Sequence, residues 1–266
     1  MLSKKVEKMA TYKLEDLSFK QVAALDREKT IVVFTCGSME QHGPHLPIGM
    51  DSQCAAKIAE RVLKNVENEM DCLWIPPIPF GQSPEHMDFP GTITFTAETY
   101  IRMLKEIACS VARHGFKKMY IINGHGGNIA AIGAAAFDIR DSYKLQIFMF
   151  NVWAVIVGLA NDLHVRDASN KTDAHGGEIE TALMLHLTPE NVHMEWAVDE
   201  KNEKLAVGEV VGMGGPIGFN WNSLQDIAPS GISGVASLGT AAKGKVIFEA
   251  LVDMATKGLR EIHQNW

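Results

Sequence analysis

The sequence predicts an α/β fold, a mostly parallel sheet flanked by helices, in a single domain spanning residues 1–266. Three observations predict it. Short apolar, β-branched runs alternate with amphipathic segments of helical period along most of the chain. Glycine-rich loops follow those runs, and no linker-like stretch divides the 266 residues. A chain of this length buries a sizeable core in one unit.

The elements follow in order. Residues 30–35 (TIVVFT) end at Gly37 and predict a buried strand. Residues 51–69 place Ala55, Ile58, Ala59, Val62, Leu63 and Val66 on one stripe, a helix with charges on its other face. Residues 72–76 predict a second strand. Residues 97–113 predict a second helix, with Thr96 as N-cap and Gly115 as its stop. A strand over 118–123, a helix over 128–141 and a strand over 145–153 continue the alternation, which implies right-handed crossovers between parallel strands. After a polar loop over 162–172, helical spacing resumes over 176–187. The glycine-rich stretch 201–239 predicts an excursion over the active face with room for edge strands, and 240–263 a long closing helix.

Composition excludes several classes of function. Lys plus Arg is 25 against 32 Asp plus Glu, a formal charge of −7, unlike a protein that holds nucleic acid or an anionic membrane through clustered cations. Cys36, Cys54, Cys72 and Cys109 form neither a CxxC nor a zinc-finger spacing, as expected of a reduced, cytoplasmic protein. Residues 1–18 lack the apolar core of a secretion signal. The longest apolar stretch, 148–160, is interrupted by Asn151 and is too short to span a bilayer.

Five of the ten histidines, His42, His45, His86, His125 and His175, lie in Gly- or Pro-rich loops beside predicted strands or helices. Parallel sheets bind ligands there, outside the carboxyl ends of the strands. The first loop, GSMEQHGPHLPIGMD (37–51), gathers Glu40, His42 and Asp51. Carboxylate and imidazole are ligands for zinc or manganese, and Asp51 has the chemistry to bridge two ions; a solvated Glu40, a turn-filling His42 and a helix-capping Asp51 are the structural alternative. In NGHGGN (123–128), three glycines leave His125 at a strand end with backbone free to approach a ligand. Two other readings are a phosphate cradle, which lacks the third glycine of GxGxxG, and a tight turn with Asn128 as N-cap.

In DAHGGEIET (173–181), Glu178 and Glu180 point about 200° apart on a helix, so one of them faces a site. Glu178 reads as an ordinary acidic first-turn residue, and His175 and Glu180 read as functional. The loop FGQSPEHMDFPGT (80–92) suits a pocket wall, with Ser83 and His86 either as substrate contacts or as partners within the loop itself. No GxSxG elbow and no HExxH occurs, and no cysteine sits in a comparable histidine-rich context, which leaves a metal-activated water as the nucleophile.

Taken together and in this order, the four motifs resemble the creatininase family of metal-dependent amidohydrolases. The resemblance implies a metal centre of one or two divalent ions, zinc, manganese or iron, and a homo-oligomer, often a hexamer. It places Glu40, His42, Asp51 and His125 on metal-ligand positions, Asp51 as the bridge, and His175 on the catalytic position. One departure stands out. Creatininases carry a glutamate ligand two residues after the NGH histidine, and here that residue is Gly127, so Glu180 becomes the candidate for the missing carboxylate. The expected chemistry is hydrolysis of a small polar, cyclic or amide-bearing substrate. His175 would carry the proton, the amides of Gly126 and Gly127 would stabilise the oxyanion, and Ser83, His86 and Asn128 would touch substrate. The family also includes a formamide deformylase, a peptidase of a modified peptide, and a C–C hydrolase of an oxidised inositol of the 3-dehydro-scyllo-inosose type. A metal-stabilised module without turnover is the non-enzymatic alternative.

Overall fold

A computed structural model describes residues 11–168, 173–200 and 223–266. Strands β1 (Thr11–Lys13), β2 (Ile31–Cys36), β3 (Cys72–Trp74), β4 (Lys118–Asn123) and β5 (Gln146–Asn151) form one sheet in the order β1-β3-β2-β4-β5, every pair parallel. All six residues of β2 and of β4 are buried, as a parallel sheet covered on both faces requires.

The period of two sorts the side chains. Ile31, Val33, Tyr120 and Ile122 face α2 (Met50–Val66), α5 (Val152–Asp162), α6 (Glu178–Leu187) and α7 (Ala241–Asn265). Val32, Phe34, Met119 and Ile121 face α3 (Ala97–Arg113) and α4 (Asn128–Tyr143). The Thr96 side chain accepts from Thr99 N at the start of α3, Gly115 ends that helix at φ +91°, and the Thr240 side chain caps α7 by accepting from Lys243 N.

The structure departs from the sequence expectations in several places. The strand expected over 145–153 stops at Asn151, and α5 begins at the next residue. The run VWAVIVGLA is apolar throughout and rich in valine and isoleucine, so the change of period from 2 to 3.6 leaves no polar mark, and Asn151 makes no side-chain cap bond. The N-terminal segment contributes β1 and α1 (Phe19–Ala24), the latter opened by a Ser18–Gln21 capping box. Helix α2 ends at Val66 rather than 69. The expected loop 162–172 is described only to 168, and its first residue, Asp162, is the last of α5. Of the stretch 201–239, residues 201–222 lie outside the described residues. Within the rest, β7 (Gly234–Val235) pairs antiparallel with β6 (Asp199–Glu200), and Ser233 bridges to His175.

This topology creates a crevice. The chain leaves β2 through α2 on one face of the sheet and leaves β4 through α4 on the other, although β2 and β4 are neighbours. The loops after these strands therefore diverge, as at the topological switch points where parallel sheets bind ligands.

Leu251 of α7 is fully buried against that core. Leu251→Ala should lower the unfolding free energy by about 2–5 kcal/mol, measured by urea denaturation with an unchanged m-value. A loss below about 1 kcal/mol would show that α7 is not packed there.

Candidate metal centre

The crevice gathers the charged residues of three motifs. Glu40 and His42 come from the loop after β2, Asp51 from the first turn of α2, His125 from the loop after β4, and Glu180 from the first turn of α6. All five are buried. The N-cap of α2 is Gly49, with no side-chain cap bond, so Asp51 does not serve as a helix cap. Its Oδ1 instead lies 3.4 Å from His42 Nε2 and its Oδ2 2.9 Å from His125 Nδ1. Glu40 Oε2 is 3.3 Å from His125 Nδ1, and Glu180 Oε2 is 4.0 Å from His42 Nε2.

Two backbone carbonyls orient the rings. His125 Nε2 donates to Gln82 O at 2.9 Å, and His42 Nδ1 donates to Glu40 O at 3.2 Å. Each ring thus turns its other nitrogen to the carboxylates, where a lone pair is available to a cation once the proton it holds in the metal-free cluster is displaced. Three carboxylate oxygens, Glu40 Oε2 and both of Asp51, have no partner of hydrogen-bond geometry among the described residues. Buried and unsatisfied anionic oxygens facing imidazole nitrogens are a donor set for a divalent cation. Glu40, Asp51 and His125 form one group of such atoms, and His42, His175 and Glu180 a second beside it.

The electrostatics of the metal-free cluster agree. Burial disfavours a charged His42, but the carboxylates of Asp51 and Glu180 overcome it and raise the imidazole to about 10. His125 is likewise raised to about 10, against burial, chiefly by Glu40 and Asp51. Burial pushes Glu180 up to about 8. His86 and His175 fall, first through burial and then through the neighbouring His42, so both are neutral at pH 7.

The cluster opens into a cavity of about 450 Å³ lined by His86, Gly126, Gly127 and His175, with Trp153, Ile156 and Ile179 as an apolar wall. His42 and His175 stack with ring centroids 4.3 Å apart, and His86 lies 4.5 Å from His175. His175 itself is held by the Ser233 backbone, with its N–H donating to Ser233 O at 3.0 Å and its O accepting from Ser233 N at 2.8 Å. The glutamates of α6 part as their angle requires. Glu178 turns away and accepts from the amides of Asp167 and Ala168 and from Lys243 Nζ, while Glu180 faces the cavity.

Two expected substrate contacts stand behind the cavity instead. Ser83 is fully buried, bonded to Ser38 Oγ and 3.3 Å from His125 Nε2, so it backs a ring rather than meeting a ligand. Asn128, also fully buried, accepts from Gln82 N and donates to Gly37 O, tying three loops together; the N-cap of α4 is Gly127. Sequence reasoning also passed over Gln41, whose Nε2 lies 2.9 Å from His86 Nδ1. Only its place between Glu40 and His42 marked it.

A parallel α/β sheet with a buried carboxylate–imidazole cluster at its switch point defines a metal-dependent hydrolase scaffold. The creatininase profile, described as creatinine amidohydrolase, matches residues 15–259, and the chain belongs to the creatininase family of metal-dependent hydrolases. A 3-dehydro-scyllo-inosose hydrolase of Thermotoga maritima is 30% identical, covering 95% of this chain and 84% of its own. A mycofactocin precursor peptide peptidase of Mycolicibacterium smegmatis is 30% identical over 84% of this chain and 81% of its own. A solved manganese creatininase superposes with a TM-score of 0.78 at 22% identity, covering 97% of this chain and 100% of that one.

Gly127 is enforced by packing. A Cβ there would lie 2.3 Å from Gln82 O and 2.5 Å from His125 Nε2. Gly127→Glu should therefore displace His125 and lower zinc affinity roughly 10–100-fold, the usual cost of disturbing a ligand's support. Competition with a chromogenic chelator measures this, and tighter binding would mean that the loop accommodates the carboxylate.

Proposed function

We propose that residues 1–266 form one catalytic domain in which Glu40, His42, Asp51, His125 and Glu180 hold one or two divalent ions, zinc or manganese, for C–N hydrolysis of a small polar cyclic or amide substrate. The observation that carries this reading is the trio of unsatisfied carboxylate oxygens on Glu40 and Asp51, at the floor of an open cavity and facing two oriented imidazoles. Such an ion supplies a nucleophile at neutral pH by lowering the pKa of bound water, and it polarises a carbonyl.

The chain's own residues do the remainder. Asp51, with one oxygen toward each of two histidines, is placed to bridge. His175 is neutral at pH 7 and borders the cavity, so it is the group to take a proton and return it to the leaving nitrogen. The backbone of Gly126 and Gly127, at the mouth of α4, borders the space where an oxyanion would form. The apolar wall of Trp153, Ile156 and Ile179 suits one flat face of a ring. A second reading, ring opening by C–C cleavage of an oxidised cyclitol, is favoured by the likeness to the inosose hydrolase over 95% of this chain.

No described helix is long and apolar enough to cross a membrane. The unpaired cysteines support a cytoplasmic place for the protein. The exposed Phe19, Phe137 and Trp196 offer apolar surface and support a homo-oligomer.

Metal-reconstituted protein screened against lactams, formamides and oxidised cyclitols should turn over a lactam or formamide with formation of a new amine, tethered in the ring-opened product or free. Turnover confined to the oxidised cyclitols, which open to an acid with no C–N bond broken, would select the C–C reading, and full activity of metal-free protein would overturn both. His175→Ala should keep the ions and lose on the order of 10²–10⁴-fold in turnover. Glu180→Gln should weaken metal binding sharply, and Glu178→Gln should leave it intact. Equal metal content in the two glutamine variants would remove Glu180 from the ligand set.

Because His42 and His125 titrate near 10 in the metal-free cluster, both carry a proton at pH 7 that an arriving cation displaces. Zinc affinity should therefore rise as pH increases from 6 toward 10. Calorimetry in buffers of different ionisation enthalpy should show at least one proton released per ion. A pH-independent affinity would contradict the assignment.

A further inference from the structure

Four imidazoles border the candidate metal centre, and three of them are pinned from behind by a backbone carbonyl. His42 Nδ1 donates to Glu40 O, His125 Nε2 donates to Gln82 O, and His175 Nε2 donates to Gln41 O at 2.7 Å. A carbonyl accepts only, so each of these rings carries a proton on the rear nitrogen, and in its neutral form the lone pair is on the other. His86 is held with the opposite polarity. Its Nδ1 lies 2.9 Å from the side-chain nitrogen of Gln41, a donor, which places the lone pair of His86 at the rear and its N–H at Nε2. That Nε2 lies 3.5 Å from Glu40 Oε1.

The orientation of the Gln41 amide is fixed independently. Gly43 N donates to Gln41 Oε1 at 2.8 Å, so the oxygen is on that side and the NH₂ on the side of the histidines. Gly231, at φ +80°, packs so closely that a Cβ there would lie 2.0 Å from Gln41 Oε1. Gln41 is itself buried, which leaves its amide little room to turn over.

We propose that Gln41 is a positioning residue that fixes His86 as an Nε2–H donor toward Glu40 and thereby keeps His86 out of the metal-ligand set. This deepens the metal-hydrolase reading and rests on it for the role of Glu40. His86 then holds the Glu40 carboxylate in place, and Glu40, His86 and His175 do not form a third cation site even though their ligand atoms lie close together. An Nε2 that carries a proton has no lone pair for an ion. His175, held by the main-chain carbonyl of the same residue, keeps a bare Nδ1 for proton transfer.

The test reads the ring nitrogens directly. Zinc-loaded protein labelled with ¹⁵N-histidine is examined at pH 7 by two-bond ¹H–¹⁵N correlation, with His86 assigned by the signal lost in His86→Gln. Wild-type His86 should show a protonated Nε2 and a bare Nδ1. In Gln41→Glu, a carboxylate accepts where the amide donated, so the His86 pattern should reverse to Nδ1–H. His175 should keep its Nε2–H pattern in that variant, because Gln41 O accepts from that nitrogen at 2.7 Å and the new carboxylate, in place of a side-chain nitrogen 3.2 Å away, also accepts from it. A merely structural role for Gln41 would not reverse one ring and spare the other.

A protonated Nδ1 or a metal-bound Nε2 at His86 in the wild type overturns the proposal without any variant, as does an unchanged His86 pattern in a folded Gln41→Glu protein. Should that variant not fold, Gln41→Met, which removes the donor, is expected to leave His86 as a mixture of tautomers, and a single unchanged tautomer would count against the assignment. Failure of the metal-hydrolase reading appears separately, as absence of zinc uptake by the wild type.

Discussion

Three carboxylates, Glu40, Asp51 and Glu180, are held together as buried side chains at the floor of one cavity. Like charges so placed repel, and burial adds to the cost of ionising each of them. The cluster persists only with compensating positive charge, and the sequence supplies no buried lysine or arginine among its described neighbours, only imidazoles. In the metal-free state the compensation is two protons, on His42 and His125. A divalent cation brings the same charge without needing those protons, which is why so unfavourable a cluster reads as a binding site rather than as part of the core.

The surrounding fold serves that constraint. Because β2 and β4 send their chains to opposite faces of the sheet, their loops part and leave room between them for side chains from both. The first turn of α2 brings Asp51 across that gap, and α6 closes it with Glu180. Main-chain carbonyls at Glu40, Gln41 and Gln82 then set the imidazoles. Backbone atoms are the stiffest partners available, so ring orientation is tied to the loops themselves rather than to other mobile side chains.

Much of this was legible in the sequence, for identifiable reasons. Strand β4 and helix α3 were readable to the residue because their periodicity is clean and their ends carry Thr96, Gly115 and turn residues. Helix α5 was not, since its apolar run continues the strand before it without a capping side chain. The clustered Glu40, His42, Asp51 and His125 were visible as a chemical set in glycine-bounded loops. Ser83 and Asn128 were misplaced because a polar residue in a loop motif looks the same from sequence whether it faces the ligand or braces the ring behind it. Gln41 passed unnoticed for a related reason: an amide does no chemistry of its own, and its importance lies in a donor–acceptor polarity that only coordinates display.

The absence of a side chain at Gly127 reshapes more than one ligand position. With Gln82 O and His125 Nε2 occupying the space a Cβ would need, the loop after β4 packs more tightly against the 80–92 loop than a glutamate would permit. A carboxylate is still required to balance the second group of ligand atoms, and Glu180 approaches from α6, beside His42 and His175 rather than beside His125. Gly126 and Gly127 line the cavity from the loop after β4, and Ile179 and Glu180 line it from α6. Bare backbone borders the cavity at position 127, and the Glu180 carboxylate groups with His42 and His175 instead. Under the proposed assignment the second carboxylate would come from α6 rather than from the loop after β4, and a substrate bond would then be approached along a different line, which is a physical reason for family members with similar loops to act on chemically distinct bonds.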